Sequence, residues 1–154
     1  MSSAIFDGSH LLYRCRYAAE GSGILSSQGI SFIFLRSLFK VLSSSQYEQA
    51  FVLWDDGLPA HRFTSGVDYK GDREVDLSEP KVLQKQAQIY LRGLLPYLGV
   101  ISIGHKEAEA DDLAFLLVNK LQGGTVISDD TDWYQCLINS DWSVYRKKKK
   151  KIHT

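Results

Sequence analysis

Only two cysteines, Cys15 and Cys136, occur in 154 residues, and neither belongs to a Cys-x-x-Cys or Cys/His spacing. That argues against a disulfide framework and a zinc site, and both are expected as buried free thiols in a reducing cytoplasm. No apolar stretch is long enough to span a membrane, and no apolar leader precedes the first strand-like run, so no membrane partner is expected. Gly-x-Ser-x-Gly and a Cys/His pair are both missing, which leaves no evident protein nucleophile. A Gly-rich phosphate loop is missing too: Gly123-Gly124 leads into a strand-like run, the wrong context for one. There is no internal repeat, and the sole low-complexity tract is a run of cations near the C-terminus.

What is present is ordinary for a globular chain, with 44% hydrophobic and 23% charged residues. The length suits one domain, predicted over residues 1–145, with a basic tail over 146–154. Basic and acidic residues balance at 18 each, yet six of the cations stand together at 146–151. The remainder is therefore acidic. An acidic site beside a basic end suits a metal-dependent protein with a polyanionic partner; a solvated tail accounts for the lysines equally well.

Apolar runs read as strands at 4–7, 51–55, 100–103, 125–128 and 142–145, and helical patterns at 11–19, 29–44, 80–98 and 131–139. A further helix follows Glu107-Ala-Glu-Ala-Asp-Asp112, with Leu113, Leu116, Leu117 and Leu121 expected on its buried face. Alternating strands and helices imply an α/β domain: three layers around a mainly parallel, five-stranded sheet.

Acidic groups recur where strands end. Asp7 follows one run, Asp55 and Asp56 a second, and Asp129, Asp130 and Asp132 a third; Glu109, Asp111 and Asp112 open the helix after a fourth. In a parallel sheet these ends share one edge, where ligands bind. A single such group is explained by a turn or an N-cap. Four at one edge call for a cation, and oxygen donors suit Mg²⁺ or Mn²⁺ over zinc. Ala108, Ala110 and Ala114 are read as leaving room for ions and phosphates beside the carboxylates.

In order, Phe6-Asp-Gly-Ser-His10, Val52-Leu-Trp-Asp-Asp-Gly57, Arg62, Tyr69-Lys-Gly-Asp-Arg73, Ala108-Glu-Ala-Asp-Asp112 and Ser128-Asp-Asp-Thr-Asp-Trp133 resemble the N-terminal, PIN-like (Rossmann-like) domain of the 5′ nucleases. These include flap endonucleases, the 5′→3′ exonuclease domain of bacterial DNA polymerase I, and phage 5′ exonucleases and ribonucleases H. The resemblance covers about residues 4–145. It implies a metal-dependent phosphodiester hydrolase acting in replication or repair on 5′ flaps, single-stranded 5′ ends or RNA–DNA hybrids, in the cytoplasm of the cell (the host's, if the source is viral).

By the same resemblance, Asp7, Asp55, Glu109 and Asp111 hold a first ion, and Asp112, Asp130 and Asp132 lie toward a second. Lys70 and Arg73 serve catalysis by steering the scissile phosphate. Arg62 and Tyr69 join them in binding substrate; Lys147 and Lys148, beyond the resemblance, are expected to bind it diffusely as part of the basic run. Asp56 and Asp129 are read as turn or cap residues, His10 as a capping or packing side chain, and Trp54 and Trp133 as core. The family continues into a helix–three-turn–helix region that grips duplex and adds an aspartate pair to the second ion. The resemblance stops near where that continuation begins. A truncated chain, a split enzyme completed by a separate chain and a stand-alone nuclease all remain open. So does a non-catalytic nucleic-acid-binding or assembly subunit that needs a second chain.

Overall fold

A computed structural model describes residues 2–56, 78–137, 141–145 and 151–153. Six strands form one sheet: β1 (Ser3–Asp7), β2 (Gln49–Trp54), β3 (Ile101–Gly104), β4 (Gly124–Ile127), β5 (Trp142–Tyr145) and β6 (Lys151–His153). Their order is β3-β2-β1-β4-β5-β6, and the first five run parallel. This is the expected α/β fold with its five parallel strands. β6, within the stretch set apart as a basic tail, adds a sixth, antiparallel to β5.

The strands alternate sides, as an extended chain must, and so feed two cores. Ala4, Phe6, Val52 and Trp54 face α1 (Gly8–Gly21), α2 (Ser27–Ser43) and α3 (Glu79–Leu94). Ile5, Phe51, Leu53, Val126 and Val144 face α4 (Ala110–Lys120) and the 3-10 helix Thr131–Cys136. Trp54, Trp133, Cys15 and Cys136 are all buried, as expected. The chain from 80 to 98 divides into α3 and a 3-10 turn, Leu95–Leu98, closed by Gly99 in the left-handed region (φ 80).

Two expectations are corrected. Leu116 is 55% exposed; the stripe of α4 against the sheet is Ala110, Ala114 and Val118, flanked by Leu113, Leu117 and Leu121. Leucine spacing alone does not say which stripe is innermost. Ala110 and Ala114 do not leave space around an ion but pack in the core, where the lack of a longer side chain brings helix and sheet close.

β4 begins beside β1 at a point with no space for a side chain. Gly124 has φ 153, and a Cβ there would lie 1.8 Å from the Ser3 carbonyl oxygen. Gly93, on the exposed side of α3, has open space. Gly124→Ala should therefore lose about 3 kcal/mol from strain and overpacking, whereas Gly93→Ala should gain about 0.5–1 kcal/mol. Urea denaturation of both variants checks the contrast.

Candidate metal centre

The centre forms where β1, β2 and β4 end and helices begin. Asp7 is the last residue of β1, only 5% exposed, and the N-cap of α1: Oδ1 accepts from the His10 N–H at 3.3 Å. Its Oδ2 accepts from Ser128 Oγ at 3.0 Å, and the same Oγ accepts from the Asp130 N–H at 3.0 Å. Ser128 thus ties the ends of β1 and β4.

Asp55 follows β2. Its N–H donates to Ser9 Oγ at 2.9 Å, and its Oδ1 accepts from the Ala110 N–H at 2.5 Å. A carboxylate from one strand end therefore caps a helix elsewhere in the chain. In that helix's first turn, Asp112 Oδ2 accepts from the Glu109 N–H at 3.2 Å. Glu109, Asp111 and Asp112 place oxygens within 4.8 Å of one another. Asp130 caps the 3-10 helix by accepting from the Asp132 N–H at 3.0 Å, and the Asp132 side chain is exposed.

Asp7 is pushed up to about 7, first by burial and then by Asp55 and Asp130; the bonds from His10 and Ser128 act in the opposite sense. Asp111 is also raised, by burial and then by Asp112, with Glu109 and Asp55 adding. Asp55 thus repels both Asp7 and Asp111 and links the two parts of the cluster. The donors are oxygens, and like charges are gathered among them. This fits a hard divalent cation. Burial, with help from Asp111, pushes the nearby Cys136 thiol up to about 12, so it is no nucleophile at neutral pH.

The structure therefore brings Asp7, Asp55 and Asp130 together, and Glu109, Asp111 and Asp112 together. Asp132 joins through its backbone. Arg62, Tyr69, Lys70, Arg73, Lys147 and Lys148 lie outside the described residues. Asp56 and Asp129, read as turn or cap residues, are ion-paired with Arg92 and Arg14 respectively. His10 contributes its N–H to the Asp7 cap, and its imidazole lies 4.0 Å from Asp129. Sequence reasoning missed Ser9 and Ser128; their one signal is a hydroxyl beside each acidic strand end. It also missed a cavity of about 410 Å³ next to Asp7, between α1 and α2, with Arg14, Arg36 and Lys40 in its wall.

The family model "5′-3′ exonuclease, N-terminal resolvase-like domain" matches residues 2–154. A bacteriophage T5 protein co-crystallised with metal ions superposes with a TM-score of 0.72 at 21% identity. T5 5′-exonuclease with bound zinc gives 0.69 at 21%, and a T5 flap endonuclease complex with DNA and metal ions gives 0.68 at 22%. Each comparison covers 99% of this chain and 58% of the phage protein. At these identities the superpositions establish the fold. Among curated proteins nothing matches by sequence.

The raised Asp7 carboxyl sets a pH dependence. The native state holds this proton up to about pH 7, while an unfolded aspartate releases it near 4, so between those values the native state binds more protons. Stability of the metal-free protein should fall as pH rises from 4 to 8, by on the order of a few kcal/mol. Asp7→Asn keeps a capping side chain and should flatten the slope. Urea melts in chelator at pH 5 and pH 8 measure it; equal slopes in parent and variant would show that Asp7 is not the source.

Proposed function

The chain belongs to the 5′-3′ exonuclease family through its N-terminal resolvase-like domain, and on that premise we propose that it is a divalent-metal-dependent 5′ nuclease. The observation that carries this reading is the gathering of carboxylates from four strand ends, most of them held at helix N-termini. Mg²⁺ or Mn²⁺ is the proposed cofactor. Asp7, Asp55, Glu109 and Asp111 are the proposed ligands of one ion, and Asp112, Asp130 and Asp132 lie toward a second. Two such ions, when bound, activate water and stabilise the leaving oxygen of a phosphodiester under in-line attack.

The remaining work falls to the protein. Ser128 and Ser9 hold the ends of β4 and β2 against β1 and α1, so the carboxylates are in place before substrate arrives. Lys70 and Arg73 steer the scissile phosphate, Arg through a two-pronged contact. Arg62, Tyr69, Lys147 and Lys148 hold the rest of the nucleic acid, Tyr69 by stacking on an unpaired base. The substrates proposed are 5′ flaps and single-stranded 5′ ends of DNA, or RNA–DNA hybrids, in replication or repair. The T5 complex with DNA and metal ions supports this by likeness of fold.

This chain spans 58% of the phage proteins it resembles. Full activity is proposed to require a region like the remainder, with a duplex grip and further carboxylates, supplied in the same chain or by a second one. These 154 residues alone should cleave a 5′-flap substrate weakly, best with Mn²⁺ and with little flap preference. Adding such a region should raise the single-turnover rate by roughly a hundredfold, the effect of about 3 kcal/mol at the transition state. Asp111→Asn should abolish the residual cleavage and greatly weaken Mn²⁺ binding. Failure of the completed protein to cleave in either metal would leave the binding-subunit reading standing.

The two groups of cations should separate in kinetics. Lys70→Ala should lower turnover more than affinity, whereas replacing Lys147, Lys148, Lys149 and Lys150 by glutamine should mainly flatten the salt dependence of binding, through fewer released counterions. Loss of low-salt turnover at unchanged affinity in the glutamine variant would reverse this division.

A further inference from the structure

We propose that Arg92 is a positioning residue for Asp55, acting through Asp56. The inference rests on the metal-dependent reading above and concerns how its ligand corner is held. Consecutive residues of an extended chain point to opposite faces, so the pair after β2 divides. Asp55 turns to α4 and accepts from the Ala110 N–H. Asp56 turns to α3, where Arg92 grips both its oxygens; Nη2 to Oδ2 is 2.8 Å.

Arg92 is itself held from several sides. Its guanidinium lies over the Trp54 ring, 5.5 Å from the centroid. Trp54 is fully buried, stacks on Phe34 at 5.8 Å and donates its indole N–H to Ser102 Oγ at 2.8 Å. Gly104, paired in register with Trp54, completes the seat: a Cβ there would lie 1.8 Å from Asp56 Oδ2 and 2.7 Å from Arg92 Nη2. A flat, forked cation stacked on an indole is a geometry that lysine cannot reproduce.

The consequence lies one residue away. The Asp55 N–H is fixed by Ser9, its carboxylate by Ala110, and the next residue by Arg92. These three anchors leave the Asp55 side chain one direction, toward the carboxylates of α4. They also keep Asp56, the neighbouring carboxylate, committed to the other face. An ordinary surface ion pair would add at most a little stability and nothing to ion binding.

Mn²⁺ calorimetry on the parent, Arg92→Lys and Asp56→Asn/Arg92→Gln tests this. The double substitution removes one charge of each sign, so the net charge beside the site is unchanged and the affinity reports geometry. It should bind Mn²⁺ about tenfold more weakly, with a smaller loss in Arg92→Lys, as for other partners that orient a ligand. Thermal melts in chelator confirm folding, and Arg92→Lys carries the test if the double variant melts early. Affinities in both variants within about twofold of the parent would overturn the proposal alone. A parent that binds no Mn²⁺ would overturn the metal reading, and this inference with it.

Discussion

Like charges do not gather unaided, and the carboxyl edge of this sheet is built around that repulsion. Two unit charges about 5 Å apart repel by about 3 kcal/mol at an effective dielectric near 20. A helix N-terminus returns about 0.3–1 kcal/mol to a carboxylate, and up to about 2 when partly buried. Asp7, Asp55, Asp112 and Asp130 each accept a backbone N–H at such a terminus. The caps therefore reduce the repulsion without cancelling it. The Asp7 and Asp111 carboxyls are raised first by burial, and the remaining repulsion from their neighbours adds to it. The same contacts that let the fold tolerate the cluster also aim it.

Topology places these helix ends together. β1 lies at the centre, the chain fills one side through β2 and β3, then crosses to β4 and β5 on the other. The crevice where this order reverses is where open α/β sheets bind ligands. Ser128 bridges that reversal: its hydroxyl bonds Asp7 from β1 and the backbone of Asp130 beyond β4. The two cores serve the same end by clamping the central strands from both faces, which makes the strand ends a firm base.

Much of this was legible in the sequence because it is local. Strand-like runs ending in aspartate, and an acidic turn opening a helix, are patterns of a few residues, and their shared edge follows from a parallel sheet. What could not be read depends on pairs far apart in the chain. Asp129 meets Arg14, 115 residues away, and Asp56 meets Arg92, 36 residues away. The family pattern sets these aspartates apart from the ligands, but nothing local names the arginines they meet. The buried stripe of α4 was misread for a related reason: leucines mark an apolar side, but close approach to the sheet is made by Ala110 and Ala114. Lys70 and Arg73 stand on sequence pattern alone.

The central position of β1 also has a kinetic meaning. Ser3 pairs with Gln49 on one side and Gly124 on the other, and Asp7 waits for Ser128, 121 residues later. Contacts of such separation close late and slowly, because the intervening chain must be ordered first. During synthesis β1 gains its second neighbour only after residues 124–127 have been made. The carboxylates of β1 and β4 cannot meet before then, so a nascent chain carries its aspartates scattered.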